Sequence, residues 1–399
     1  MLYTTPHTNP SDYILETQAE NIDRGSKKSD RVLLVCTIFL MVFGLLAIYS
    51  SIAYFAEANG QTAGYYLLQH AGKLGIAFLI MILASKLDYH YFTSFSHAAV
   101  ICSWLLLIFT YLFGNEIFGA RRWISLGPVS FQPSSLAMVA LLFHISVLLQ
   151  QKQDYIKSLG RSFTPIFIWV GVTCLLIGIQ DLSTAAVVFA LSIMVMFVGR
   201  ISMKHLFVLF IFGGLMGSAL IYGSQERQSR INNYVDQITH INSTHFDRGE
   251  GYQAQQAHIA IARGEILGVG IGKSTQRSFL PAPYNDFIFA IIAEEYGLLG
   301  SLFLILIFTI ILIRGIVFIA RDASDLIGSL LATAYTLALV MYGFINAGVA
   351  SGLLPVTGLP MPFVSYGGSN LLFAGLMVGV LLNISRSIKR PKLNISVGR

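Results

Sequence analysis

One carboxylate stands where a polar stretch of the chain runs into an apolar one: Asp286, in Leu280-Pro281-Ala282-Pro283-Tyr284-Asn285-Asp286-Phe287-Ile288-Phe289-Ala290. A carboxylate in that place has two ordinary uses. It caps the helix that follows, favoured by the helix dipole, or it takes a proton from a bound hydroxyl as general base. Glu294 and Glu295 lie two turns further on, a spacing that brings at least one of them near the same helix face. Acids that deep in an apolar run are expensive unless they meet protein or water. Upstream, Gly268-Val269-Gly270-Ile271-Gly272-Lys273-Ser274-Thr275-Gln276-Arg277 carries two cations on a Gly-rich loop. Its Gly-Lys-Ser run lacks the glycine spacing of a phosphate loop, so it reads as a flexible arm approaching an anionic head rather than a nucleotide cradle.

Two further segments are dense in Gly, Pro and polar residues. In Gly119-Ala120-Arg121-Arg122-Trp123-Ile124-Ser125-Leu126-Gly127, followed by Phe131-Gln132-Pro133-Ser134-Ser135, the paired guanidiniums suit phosphate or pyrophosphate through forked donors. An aromatic and basic interface belt is the plainer account of the same residues. Gly352 to Ser369 holds three prolines and the pair Gly367-Gly368, which no regular helix accommodates; it reads as the irregular floor or wall of a site. Asp181 suits a helix cap, and His144 suits a hydrogen-bonded packing role better than metal ligation.

The elements that must position these residues are membrane helices. The chain has 399 residues, 55% hydrophobic and 12% charged, with a mean hydropathy of +0.67, far from the balance of an ordinary soluble domain. Apolar runs at 32–52, 72–86, 97–113, 135–150, 164–180, 183–199, 204–223, 286–314, 325–350 and 369–385 give about ten spans on a criterion of ~20 residues each. The expected fold is therefore an all-α polytopic membrane protein of about ten transmembrane helices, with one large extracytoplasmic loop, 224–285, between helices 7 and 8. The net charge of +6 sits in short connections and reports topology, not nucleic-acid binding. Positive residues at both ends place both termini in the cytoplasm, with 1–30 a cytoplasmic tail, 31–388 the membrane domain and 389–399 a basic tail. Arg121 and Arg122 then break the rule in a short outer loop, whereas the cations of 224–285 need no functional reason, because long segments cross regardless of charge. Cys36, Cys102 and Cys174 lie in apolar segments and predict neither a disulfide nor a metal cluster.

Taken together, the motifs resemble the SEDS family, the FtsW/RodA-type membrane proteins, with FtsW nearer than RodA. The matching residues are Gly119 to Ile124 with Gln132-Pro133-Ser134, Asp181-Leu182-Ser183-Thr184, Gly251-Tyr252-Gln253, Leu280-Pro281 with Asp286 to Ala290 and Glu294 to Gly297, and Gly352 to Ser369, in order across about 31–388. The resemblance implies an inverting glycosyltransferase that polymerises lipid II at the outer face of the bacterial cytoplasmic membrane in cell division, beside a class B penicillin-binding transpeptidase and other division or elongation proteins. It implies Asp286 as the catalytic residue. Substrate binding is expected of Arg121, Arg122, Trp123, Gln132, Ser134, Asp181, Lys273, Gln276, Ser365, Tyr366, Gly367 and Gly368. No cofactor is fixed; a divalent cation, Mg or Mn, is an alternative to the cationic side chains for neutralising the leaving pyrophosphate. In one place the chain departs from the family, which has Glu and Lys where this sequence has Ser135 and Met138. Losing both leaves no unpaired charge, so the fold survives while activity is put in question. A lipid II flippase and a weakly active scaffold for the transpeptidase are the rival readings.

Overall fold

Backbone groups in hydrocarbon have no partner but one another, which forces apolar runs of this length into helices. The computed structural model describes residues 29–58, 60–117, 120–126, 129–239, 250–280 and 283–388. Residues 1–28 of the tail expected at 1–30, the tail expected at 389–399, the loop residues 240–249, and Gly119, Gly127, Pro281 and Ala282 lie outside them. The helices are α1 (Arg31–Ala58), α2 (Ala63–Lys86), α3 (Ser96–Phe113), α4 (Pro133–Gln151), α5 (Thr164–Gln180), α6 (Leu182–Val198), α7 (Met203–Tyr222), α8 (Gln225–Thr239), α9 (Glu250–Gly264), α10 (Ile288–Ile313), α11 (Leu326–Ala350) and α12 (Ser369–Ser387). Among the described residues nine helical stretches are long and apolar enough to cross a membrane, and α6, apolar but shorter, makes the tenth. The protein is a multi-pass membrane protein.

Three features differ from the sequence expectation. Helix α2 begins at Ala63, well before the apolar run at 72, because Thr62 accepts a hydrogen bond from Tyr65 N at 3.3 Å and the intervening residues tolerate helix. Hydropathy reports where lipid contact begins, not where a helix begins. The segment between α3 and α4 is a three-stranded antiparallel sheet, β1 (Asn115–Ile117), β2 (Ala120–Leu126) and β3 (Val129–Phe131), with β2 pairing β1 through its first half and β3 through its second. β1 and β3, at three residues each, are too short to carry a readable alternation, and the seven residues of β2 do not alternate apolar with polar. Within 224–285, expected as one large loop, the described residues include the helices α8 and α9.

Helices α4, α11 and α12 form the buried centre, and α7 is the most peripheral span. Along α12, Gly375 and Gly379 face α2 so closely that a Cβ at either would collide with the backbone carbonyl of Ala77 or Met81, the small-residue packing that lets membrane helices approach. One end of the bundle is tied by the Asp30–Arg314 ion pair, by Asp30 N to Ser385 Oγ at 2.9 Å and by Arg386 to the Ser85 carbonyl at 3.0 Å. The opposite end carries the sheet, α8, α9 and residues 351–368.

Candidate active site

Asp286 does not cap α10. The capping position is Phe287, and no side chain closes that helix start. The carboxylate is instead walled in by residues 351–368. Asn346 Nδ2 donates to the Asp286 carbonyl at 3.0 Å and to the Leu359 carbonyl at 2.9 Å. Ser365 Oγ donates to the Asn285 carbonyl at 2.8 Å and accepts from Met361 N at 2.8 Å, while Tyr366 N donates to the Tyr284 carbonyl at 2.8 Å. Gly358, at φ +69°, passes so near that a Cβ would lie 3.7 Å from Asp286 Oδ2. A side chain there would meet both the carboxylate and a disfavoured backbone angle.

Within this enclosure Asp286 Oδ1 is sealed from solvent and has no hydrogen-bond partner. Burial pushes the carboxyl up to about 6; Arg122 pulls it back, Asp181 adds to the rise, and Arg230 opposes it. Loss of water thus outweighs the nearby cations. The result is a carboxylate ionised at neutral pH yet more basic than an exposed aspartate, which is what a general base needs.

Those cations belong to an adjoining cavity of about 990 Å³, whose lining includes Arg121 and Arg122 from β2, Arg227 and Arg230 from α8, and Leu182, Val187, Leu220 and Ile345 from the membrane helices. Arg122 Nε donates to the Gln180 carbonyl at 2.9 Å, and its Nη1 lies 3.8 Å from Asp181 Oδ2. Asp181 caps α6, accepting from Thr184 N at 3.1 Å and from Thr184 Oγ1 at 2.8 Å. Arg227 donates to the carbonyls of Leu220 at 3.1 Å and Ile179 at 2.7 Å. These contacts satisfy the open ends of α5 and α7, a structural duty. The cations are crowded beyond what that duty needs, since burial, then the charge of Arg122, holds the Arg227 guanidinium below its usual range. Thr357 adds a buried, unpartnered hydroxyl to the lining. A cationic mouth over an apolar floor suits an amphiphile with an anionic head.

Of the residues singled out from sequence, Asp286, Asp181, Arg121, Arg122, Ser365 and Tyr366 come together around this enclosure. Gln132 N donates to Ser369 Oγ at 2.9 Å, which fastens the start of α4 to α12, and Ser134 is buried at the start of α4. Gly368 lets the loop pass β3, since a Cβ would fall 2.7 Å from the Ser130 carbonyl, and Gly367 follows Tyr366 in that turn. Trp123, Lys273 and Gln276 do not line the cavity. Trp123 pairs with Asn115 in the sheet. Lys273 is exposed, and Gln276 is buried on a loop anchored by Glu294, which accepts from Thr275 N at 3.1 Å, Gln276 N at 3.3 Å and the Ser274 hydroxyl. Glu295 accepts from Ser50 Oγ, and Arg277 donates to the Ser50 carbonyl at 2.8 Å. Glu294 and Glu295, at least one of which was expected near the face of Asp286, thus hold this loop where Gly297, at φ +68°, interrupts α10. Ser135 and Met138 are buried in α4. His144 contacts Ser96 Oγ at 3.0 Å and the Trp169 ring, as a packing residue should.

Sequence reading passed over Arg227 and Arg230 as loop charges needing no purpose. Their three-residue spacing on a helix, which puts both on one face, was the available signal.

The cell cycle protein family of FtsW, RodA and SpoVE matches residues 30–390. Stage V sporulation protein E of Bacillus subtilis is 34% identical, over 90% of this chain and 97% of its own length. A probable peptidoglycan glycosyltransferase FtsW of Hahella chejuensis is 36% identical, over 89% of both chains. Among solved structures, a chain from a peptidoglycan synthase complex that coordinates polymerization and crosslinking superposes with a TM-score of 0.71 at 25% identity, covering 90% of this chain and 98% of that one. The rod shape determining protein RodA of Thermus thermophilus gives a TM-score of 0.66 at 23% identity, covering 91% and 98%, a likeness of fold.

Proposed function

Because this chain belongs to the FtsW, RodA and SpoVE family of cell cycle proteins, we propose that it is a peptidoglycan glycosyltransferase, a polymerase of lipid II, working at the outer face of the bacterial cytoplasmic membrane. The observation that carries this reading is Asp286 Oδ1, buried and unpartnered beside an arginine-mouthed cavity. A catalytic base waiting for a hydroxyl looks like this. In the reaction, the 4-hydroxyl of one lipid-linked disaccharide attacks the anomeric carbon of another. Asp286 takes the hydroxyl proton as the new glycosidic bond forms, the bond from the anomeric carbon to the pyrophosphate breaks with its electron pair going to the leaving group, and the pyrophosphate monoester, one negative charge richer than the bound diester, is received by Arg121, Arg122, Arg227 and Arg230. One displacement inverts the α-linked donor to a β-linked product, so the two-carboxylate scheme of hydrolases is not required.

Among the described residues no group of three or more His, Cys, Asp or Glu side chains comes together as a metal cage. Arg121, Arg122, Arg227 and Arg230 supply the charge that neutralises the leaving pyrophosphate. Membrane orientation follows from charge: the end with Asp30, Arg314 and Arg386 faces the cytoplasm, and the sheet, α8 and α9 face outward. A class B penicillin-binding transpeptidase is the partner this reading calls for, and division is the role. The test is lipid II polymerisation by the purified protein with that transpeptidase in detergent. Glycan ladders support the assignment; lipid II transport across liposomes with no polymer formed would establish the flippase instead.

A further inference from the structure

Joining two copies of one lipid-linked substrate brings two pyrophosphates to the enzyme, one on the reacting carbon and one a disaccharide away from the reacting hydroxyl. The two have different geometric duties. The donor's pyrophosphate departs from the reacting carbon and must lie beside Asp286. The acceptor's reacting hydroxyl and its pyrophosphate sit at opposite ends of a disaccharide, so the acceptor's head belongs away from Asp286.

The short segment Tyr284-Asn285-Asp286 has two sides that match these duties. Asp286 feels Arg122, Asp181 and Arg230. Tyr284 instead meets the ring of Tyr366 edge-on, with centroids 5.6 Å apart. Behind Tyr366 stands the part of α2 that extends outward beyond the apolar run. His70 stacks on the Tyr366 ring at 5.3 Å, Lys73 Nζ lies 4.6 Å from its centroid, and the Tyr366 hydroxyl donates to Gln69 Oε1 at 3.4 Å.

Two of these groups lack what burial ordinarily demands. His70 is fully buried, yet neither ring nitrogen has a hydrogen-bond partner. Lys73 is half-buried in a membrane helix with no carboxylate pairing it among the described residues; its ammonium rests on the aromatic face. A snorkelling lysine would explain the cation alone. It does not explain an orphaned imidazole on the same ring, three residues away on the same face of α2.

We propose that His70, Lys73, Gln69 and Tyr366 form a second anionic-headgroup site, which holds the pyrophosphate of the acceptor lipid-linked disaccharide on the Tyr284 side of the catalytic segment. Lys73 supplies the charge, His70 and the Tyr366 hydroxyl supply donors, and the Tyr366 ring backs the sugar. The arrangement rests on the polymerase reading and assigns the arginine cavity to the donor.

The two roles can be separated with two substrate analogues. A 4-deoxy lipid-linked disaccharide acts only as donor, and a lipid-linked disaccharide whose anomeric oxygen is replaced by carbon acts only as acceptor; together they form one tetrasaccharide. For Lys73→Met the KM of the acceptor analogue should rise about tenfold or more, with kcat and the donor KM changed less than about twofold, and Lys73→Arg should restore most of the loss. Calorimetric binding of the acceptor analogue alone should weaken in parallel. An unchanged acceptor KM, or equal loss for both analogues with a lowered thermal midpoint, overturns the site. If the wild type binds the acceptor analogue in a Lys73-dependent way but makes no tetrasaccharide, the headgroup site stands and the polymerase reading falls.

Discussion

At the scale of single residues, the proposed chemistry turns on the protonation of Asp286. Its carboxyl is held up at about 6 chiefly by burial. The base is ionised above that value and lost below it, so the polymerisation rate should be flat near neutrality and fall about tenfold per pH unit once the pH drops well under 6. Arg122 opposes the rise and Asp181 adds to it. Hence Arg122→Met should move this acid limb to higher pH, and Asp181→Asn, which keeps a capping side chain for α6, should move it lower. A pH–rate profile of the three proteins checks both signs; a common midpoint would contradict the electrostatic account. The residue itself was visible in the sequence, as a carboxylate at a polar-to-apolar joint. Its solvation was not, because the wall that dries it comes from residues 351–368, far along the chain.

At the scale of elements, the loop ahead of Asp286 and the helix α4 each carry a test. Glu294 is fully buried and satisfies three consecutive residues of the 274–276 loop. Glu294→Ala should leave those donors unmet, costing about 1–3 kcal/mol and raising hydrogen exchange across 270–280, while lipid II binding in the arginine cavity persists. Spacing alone pointed at least one of Glu294 and Glu295 toward the face of Asp286. The glycine break at Gly297 and the Gly-rich loop packed against it defeated that inference, since helical periodicity says nothing about where a helix opens. In α4, Ser135 and Met138 replace the charged pair of the family without leaving an orphan. Ser135→Glu or Met138→Lys alone should each bury an unpaired charge and cost about 3 kcal/mol or more, whereas the double variant should recover much of that loss, the two positions being neighbours on one helix face. Thermal unfolding in detergent reads the difference. If the double variant is also more active, the missing pair sets the catalytic level of this protein.

At the scale of the whole molecule, the bilayer wrote most of the fold into the sequence. Spans from α3 to α7 and from α10 to α12 were readable because each needs a run of apolar residues of fixed length. The three-residue strands, the outward extension of α2 and the helices α8 and α9 were not, since they answer to tertiary contacts beyond the hydrocarbon. The same limit explains why Arg121 and Arg122 suggested an anion site from the sequence while Arg227, Arg230 and Lys73 did not: their meaning depends on which helix ends meet. The assembled molecule brings Arg121, Arg122, Arg227 and Arg230 together at one end of the bundle, beside one carboxylate. The central claim is that this carboxylate is the base. Its most direct test is lipid II polymerisation by purified Asp286→Asn with the transpeptidase partner, alongside lipid II binding and thermal unfolding of the same sample. Polymer formation should fall by about 10²-fold or more while binding and unfolding stay near wild type; a folded variant that polymerises normally would contradict the account.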